Sequence, residues 1–78
     1  MKKSSPELRD ILAANIREYR RIKGLSQESL ADQCGLHRTY IGSVERAERN
    51  VTLSTLETLV ATLEVTVPQL LTFTQVAE

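Results

Sequence analysis

Residues 27–46 contain two short segments in which apolar residues recur at helical spacing, with one glycine between them. The inner faces of the two helices would be formed by Leu30, Cys34, Leu36, Ile41 and Val44. Gly35 lies where a left-handed residue would end the first helix, a conformation that glycine adopts without steric cost. Ala31 is small enough to let two helix backbones approach. The segment therefore predicts two helices that meet at a steep angle, the second of them protruding.

Capping residues divide the first part of the chain into three helices. Ser5-Pro6-Glu7 predicts a helix start, because a hydroxyl, a proline and an acid all suit a helix N-terminus. Apolar residues then recur at helical spacing from Leu8 to Tyr19, and Gly24 ends this helix. Ser26 is expected to cap the second helix, and the third covers about residues 37–46.

The second part of the chain repeats the N-terminal signals. Ser54-Thr55-Leu56-Glu57 and Thr66-Val67-Pro68-Gln69 have the capping-box pattern, which predicts a fourth and a fifth helix. The sequence has no sustained alternation of apolar and polar residues and no Asn-Gly hairpin turn. We therefore predict an all-α fold, a five-helix domain that includes residues 1–78.

Charge is unevenly distributed although the formal net charge is zero. Residues 1–50 contain all 10 lysines and arginines and 7 of the 10 acids, which gives +3, and residues 51–78 contain the other 3 acids, which gives −3. A basic half attracts phosphate groups locally, but ordinary solvated surfaces show similar asymmetry. The charge pattern allows a nucleic-acid partner without requiring one.

Two features indicate the compartment. The basic start lacks the apolar stretch of a signal peptide, and no run approaches the ~20 apolar residues of a membrane span. The single cysteine cannot form a disulfide within the chain, which suits a reducing cytosol. We expect a cytoplasmic protein without membrane attachment.

A resemblance to a known family extends from about Ile11 to Leu71 and is carried by LSQESLADQCGLHRTYIGSVERAERNVTLSTLETLVATLEV. This segment resembles the helix-turn-helix domains of the phage lambda repressor and Cro type, the xenobiotic-response-element family. The shared features are the serine-glutamine pair, the leucine-alanine pair, the glycine turn, the Ile-x-x-Val-Glu-Arg run and a following Leu-x-x-Leu helix. RTYIGSVERAERN is most similar to controller proteins of restriction-modification systems. Ala47 departs from the family's usual glycine or asparagine, which predicts that the third helix runs on slightly.

The resemblance implies a homodimer that binds double-stranded DNA through the unit at residues 27–46. Base contacts are implied for Arg38, Thr39, Tyr40 and Ser43. Phosphate contacts are predicted for Ser26, Gln27, His37, Arg46, Arg49 and Asn50. A salt bridge between Arg20 and Glu45 would fix the third helix against the first.

Several of these residues have a second interpretation. Arg38 has the bidentate donors that suit guanine, yet it could be an ordinary solvated arginine. Exposed hydroxyls like those of Thr39 and Ser43 occur on any helix. The ring of Tyr40 either contacts DNA or packs on the core. Gly42 permits close approach either to DNA or to the second helix.

Metal binding and catalysis find no support in the sequence. Cys34 and His37 lie three residues apart, but a zinc site needs three or four ligands, and the chain has no other Cys or His. A thiol on the inner face of a helix is a poor nucleophile, and His37 more simply caps or flanks the third helix. We expect no enzymatic activity, cofactor, metal or small-molecule ligand.

Apolar residues near the C-terminus exceed what a small core needs, namely Leu63, Val65, Val67, Leu70, Leu71 and Phe73. We expect residues 63–76 to pack across a two-fold axis, so that the C-terminal helices form a homodimer. The alternative is that these side chains only close the fifth helix onto the fold.

The leading prediction is a sequence-specific DNA-binding transcription regulator with a pseudo-palindromic operator, its half-sites about one helical turn apart. Within this class a controller protein is preferred to a phage repressor or Cro-like regulator and to an antitoxin. RNA polymerase is a further candidate partner, through blocking or recruitment. A protein-interaction module that has lost DNA binding is the alternative from another class, and the presence of Gln27, Arg38 and Arg49 argues against it.

Overall fold

Five α-helices occur in residues 7–73, the part of the chain that the computed structural model describes. They are α1 (Leu8–Ile22), α2 (Gln27–Cys34), α3 (Arg38–Glu45), α4 (Leu53–Leu63) and α5 (Val67–Leu71). This part of the chain contains no strand, and the predicted all-α fold with five helices is confirmed. None of its helices is both long and apolar enough to cross a membrane.

Hydroxyl caps begin α2 and α5 as the sequence predicts. Ser26 accepts a hydrogen bond at 3.0 Å from the backbone N–H of Ser29. Thr66 and Gln69 form a reciprocal capping box, in which each side chain accepts a hydrogen bond from the backbone N–H of the other residue. These bonds satisfy N–H groups that have no partner within the helix.

One predicted helix start is displaced, and another lies at the edge of the described residues. The cap of α4 at Ser54 is wrong, because Thr52 accepts the hydrogen bond from the N–H of Thr55 at 3.1 Å and Ser54 lies within the helix. Hydroxyls two residues apart compete for this role, and the earlier one starts a longer helix. The first helix begins after Glu7, which occupies the N-cap position, whereas the predicted cap at Ser5-Pro6 lies outside the described residues.

Left-handed residues end the first four helices and let the following N–H groups bond back to the last turn. Gly24 and Gly35 have φ of +71° and +69°, at the two ends that the sequence predicts. Ala47, two residues after α3, and Glu64, directly after α4, have the same conformation, with φ of 62° and 60°. Because Ala47 turns the chain sharply, α3 ends at Glu45, and the prediction that this helix runs on is wrong.

Apolar side chains from all five helices form one core. Its buried members are Leu12, Ile16, Leu30, Ala31, Ile41, Val44, Leu56, Leu59, Leu63 and Leu70. Burial of these residues supplies most of the free energy that opposes chain entropy in so small a fold.

The core changes the predicted subunit interface. Leu63 and Leu70 are 2% and 0% exposed within the single chain, so an interface role for these two residues is wrong. They close α4 and α5 onto the fold, as the alternative proposed. Val65 and Leu71 are half-buried against the same core, whereas Val67 and Phe73 remain 37% and 51% exposed. Residues 74–76 of the predicted segment lie outside the described residues.

Candidate nucleic-acid interface

Only the first turn of α3 faces solvent. Arg38 and Thr39 are exposed and Tyr40 is half-buried, whereas every residue from Ile41 to Glu45 is buried. The C-terminal half of the helix packs between α1 and α2, and α3 therefore exposes no second turn. The surface that α3 exposes is therefore its N-terminal end and not its whole length.

Glu45 joins α3 to both neighbouring helices. Its side chain is 2% exposed. Arg20 on α1 donates from Nε to Oε2 at 2.7 Å and from Nη2 to Oε1 at 3.0 Å. Gln27 on α2 donates to Oε1 at 3.0 Å, and Arg17 donates to the backbone carbonyl of Glu45. The expected pair of Arg20 and Glu45 thus forms part of a larger hydrogen-bonded network that fixes the orientation of α3.

Gly42 lies against the first residue of α2. A Cβ atom at this position would be 3.3 Å from Nη1 of Arg46 and 3.7 Å from Oε1 of Gln27. Of the two interpretations of this glycine, the geometry matches close approach to the second helix. The absence of a side chain leaves room for two of the predicted phosphate-binding residues to lie over α3.

The loop after α3 folds back onto that helix. Arg49 donates from Nε to Oγ of Ser43 at 3.2 Å, and its guanidinium lies 5.8 Å from the centre of the Tyr40 ring. Ser43 is 5% exposed and donates to the carbonyl of Tyr40 at 2.7 Å. The Ser43 hydroxyl is therefore buried and engaged twice in the free chain, and its base contact stays a prediction. The Tyr40 ring packs against the core and also contacts Arg49.

The other predicted phosphate contacts lie on the surface around α3. Ser26 is exposed at the start of α2, and His37 is exposed at the N-cap of α3, where its side chain makes no capping hydrogen bond. Asn50 is exposed in the following loop and accepts a hydrogen bond from Nη1 of Arg9 at 3.5 Å. Arg46 is exposed beside Gly42.

Sequence reasoning missed three residues of this surface. Arg9 lies beside Asn50, and its position in the first turn of α1 is itself a signal, because a helix N-terminus favours acids. Arg17 precedes Arg20 by three residues and so shares its face of α1, which is how it reaches the carbonyl of Glu45. Glu48 pairs with Arg46 across a turn that the sequence did not reveal.

The electrostatics of the surface are dominated by arginine. Arg9, Arg38, Arg46 and Arg49 are exposed there, with Glu48 among them. The hydrogen bond from Arg46 lowers the pKa of the Glu48 carboxyl, and the charge of Arg49 acts in the same direction. Among residues 7–73, no three His, Cys, Asp or Glu side chains are grouped to hold a metal ion.

The helices α2 and α3 are joined by a turn at Gly35. The first turn of α3 is exposed and carries Arg38, and buried Glu45 holds the other end of α3 against α1 and α2. This arrangement defines a helix-turn-helix protein. The family model described as helix-turn-helix, HTH_3, matches residues 16–70, and the chain belongs to this family. The family consists of transcription regulators and controller proteins, which are not enzymes.

Individual relatives show which kinds of helix-turn-helix protein this chain is similar to. The chain is 64% identical to the control protein C.SmaI of Serratia marcescens over 66 residues, which is 85% of this chain and 79% of that protein. The structure resembles the restriction-modification controller protein C.AhdI from Aeromonas hydrophila, with a TM-score of 0.76 and 42% identity over 80% of this chain and 94% of that one. It also resembles C.Esp1396I bound to a 25 base pair operator site, with a TM-score of 0.72 and 39% identity over 80% and 82% of the two chains.

Proposed function

We propose that this chain is the controller protein of a restriction-modification system, a transcription regulator that binds a pseudo-palindromic DNA operator as a homodimer in the cytoplasm. The observation that carries the proposal is the exposed first turn of α3, surrounded by arginines and fixed from behind by Glu45. The N-terminal residues of such a helix are the ones that reach base edges in the major groove. Two relatives are control or controller proteins, and a third was solved with its operator.

The exposed residues of α3 would contact the base edges in the major groove. Arg38 has the two parallel donors that match the acceptors of guanine, and the Thr39 hydroxyl can donate or accept. Tyr40 contributes the part of its ring that the core leaves exposed. Ser43 has a supporting role, because its hydroxyl holds Arg49 against the end of the helix.

The residues around α3 would bind the phosphates of the DNA backbone. The set comprises Ser26, Gln27, His37, Arg46, Arg49 and Asn50, and the structure adds Arg9. Cations and hydrogen-bond donors on both sides of α3 would contact the backbone on either side of the groove. Such contacts fix the register of the protein and make the affinity depend on salt, while the base contacts select the sequence.

The proposed dimer places two reading helices about 34–36 Å apart, which matches half-sites separated by one turn of the duplex. Of the six apolar residues predicted for the interface, Val67 and Phe73 are the two that are exposed and so available for a two-fold contact. A dimer on its operator would regulate transcription by blocking RNA polymerase or by recruiting it to the promoter.

Selection of bound sequences from random duplexes, with the purified protein, tests the proposal. We expect a two-fold-symmetric consensus. Replacing Arg38 with alanine should weaken binding to that consensus by about 5- to 150-fold, the equivalent of ~1–3 kcal/mol, and relax the preference at one base pair of each half-site.

Arg21→Ala is the matched control. It removes an exposed arginine that pairs with Glu18 on α1, and it should leave the consensus unchanged. Folded protein that enriches no sequence, or Arg38→Ala protein with an unaltered consensus and affinity, would contradict the proposal.

A further inference from the structure

Arg46 and Glu48 form a bidentate ion pair beside the reading helix. Nε of Arg46 lies 3.1 Å from Oε2 of Glu48, and Nη2 lies 3.1 Å from Oε1. Two adjacent N–H groups of the guanidinium therefore face the carboxylate. The same edge of an arginine is the one that binds two phosphate oxygens.

The backbone turn at Ala47 brings these side chains together. The N–H of Ala47 donates to the carbonyl of Val44 at 3.0 Å, and the N–H of Glu48 donates to the carbonyl of Ser43 at 2.9 Å. With Ala47 left-handed, the chain reverses direction within one residue. The peptide groups before and after Ala47, which separates Arg46 from Glu48, are thus both hydrogen-bonded to α3.

The stability of the fold does not explain this pair. The side chains of Arg46 and Glu48 are 60% and 55% exposed, and solvent-exposed ion pairs contribute little to folding. Their location is more informative. Nη1 of Arg46 lies over Gly42, close to the side chain of Gln27, and Arg49 follows Glu48 directly. The carboxylate therefore lies among three residues proposed to bind phosphate.

We propose that Glu48 is an internal competitor for phosphate, which occupies the binding edge of Arg46 in the free protein and must be displaced before that arginine contacts DNA. This inference rests on the proposed function. A DNA phosphate that takes both donors of Arg46 cannot share them with the carboxylate. When a phosphate displaces Glu48, the ion pair with Arg46 is lost, and the free carboxylate remains close to the DNA phosphates.

Glu48 competes with a phosphate of the DNA backbone and not with a base. The competition therefore lowers the affinity for every duplex by a similar factor. It also makes the salt dependence shallower, because the carboxylate released from Arg46 lowers the net positive charge that the bound protein brings to the phosphates, and fewer counterions are released from the DNA.

Glu48→Gln tests the proposal, with affinities measured by fluorescence anisotropy over a range of salt concentrations. One duplex carries the selected operator and another has a scrambled sequence of the same length. We expect the variant to bind both duplexes about 3- to 10-fold more tightly at low salt. The slope of log affinity against log salt should steepen by up to about one contact.

Glu18→Gln is the matched control. It makes the same change in net charge and breaks the exposed pair of Glu18 with Arg21 on α1. This control should change the affinity by less than about twofold. Equal effects of the two substitutions, or weaker binding by Glu48→Gln protein, would overturn the proposal.

A double-mutant cycle shows whether Glu48 acts through Arg46. In an Arg46→Ala background, Glu48→Gln should lose most of its effect on affinity and on the salt slope. An undiminished effect in that background would overturn the proposal. If the folded wild type selects no operator, the proposed function fails as well. If the operator is selected and Glu48→Gln behaves like the control, this inference alone fails.

Discussion

Glu45 is the residue on which the orientation of α3 depends. Its carboxylate accepts hydrogen bonds from Arg20 and Gln27, and its backbone carbonyl accepts one from Arg17. A carboxylate that is 2% exposed would be costly to bury alone, so the network around it must be complete. Among the described residues no buried side-chain nitrogen or oxygen lacks a partner.

Glu45→Ala should lower the free energy of unfolding by about 3–5 kcal/mol, because the largely buried guanidinium of Arg20 loses its partner. Urea denaturation followed by circular dichroism measures this loss. Glu18→Ala, in an exposed ion pair, serves as the control and should leave the transition midpoint within experimental error. Similar midpoints for both variants would refute a stabilising network at Glu45.

Ala47 is strained where the chain leaves α3. Its φ of 62° lies in the left-handed region, which costs a residue with a Cβ atom about 1–2 kcal/mol. Ala47→Gly removes the strain but adds freedom to the unfolded chain, so we expect a net gain of about 0.5–1 kcal/mol in stability. Thermal unfolding measures the gain. Ala61→Gly, on the exposed part of helix α4, should instead destabilise the protein by about 1 kcal/mol. Destabilisation by both substitutions would show that Ala47 is not strained.

At the scale of elements, α5 is too short to be stable alone and depends on α1. Its five residues include one fully buried side chain, Leu70. Asn15 on α1 donates from Nδ2 to the carbonyl of Leu70 at 2.8 Å and to that of Thr72 at 3.0 Å. One amide therefore satisfies carbonyls at the end of α5 that have no partner within the helix.

Asn15→Ala should free the end of α5 and cost about 1–2 kcal/mol of stability. Hydrogen exchange provides the local measurement, since the backbone N–H of Leu70 should exchange much faster relative to amides in α2 and α3. Gln33→Ala, which removes an exposed amide from α2, should leave that exchange unchanged. Unaltered protection of Leu70 in the Asn15→Ala protein would argue that packing alone holds α5.

The helices could be predicted from the sequence where a local signal was unambiguous. Gly24 and Gly35 marked helix ends, because glycine is the residue that most readily adopts a positive φ. Ala47 and Glu64 end helices in the same conformation without any such signal. There the tertiary structure imposes the turn and overrides the preference of the residue.

The site could be predicted less completely, because burial depends on how helices pack. A period of 3.6 residues places Arg38 and Thr39 at the exposed end of α3, but it cannot show that Ser43 lies beneath Arg49. The pairing of Arg46 with Glu48 also depends on a turn, since residues two apart do not face each other on a helix.

At the scale of the whole molecule, α1 connects the exposed end of α3 to the C-terminal helix α5. Arg17 and Arg20 hold Glu45 of α3, and Asn15 holds the end of α5. These side chains come from six consecutive residues of one rigid helix. The angle between α3 and α5 is therefore fixed within the subunit, and a two-fold contact through α5 would fix the separation of the two reading helices.

Val67→Asp tests that arrangement, because Val67 is exposed at the start of α5, where an acid suits the helix. Two like charges facing each other across a two-fold axis should weaken self-association at least about tenfold. Operator affinity should fall with it, because one half-site supplies only half of the contacts. Sedimentation velocity over a range of concentrations measures the first effect, and anisotropy with the selected duplex measures the second.

Ile22→Lys is the control for this experiment, since it also places a charge on an exposed apolar residue, at the end of α1 where a base is favourable. It should leave self-association unchanged. If Val67→Asp protein unfolds at the wild-type temperature and remains dimeric at low concentration, α5 does not form the interface. The exposed Phe73 would then have to be tested in the same way, and the spacing of half-sites would no longer follow from the rigidity of α1.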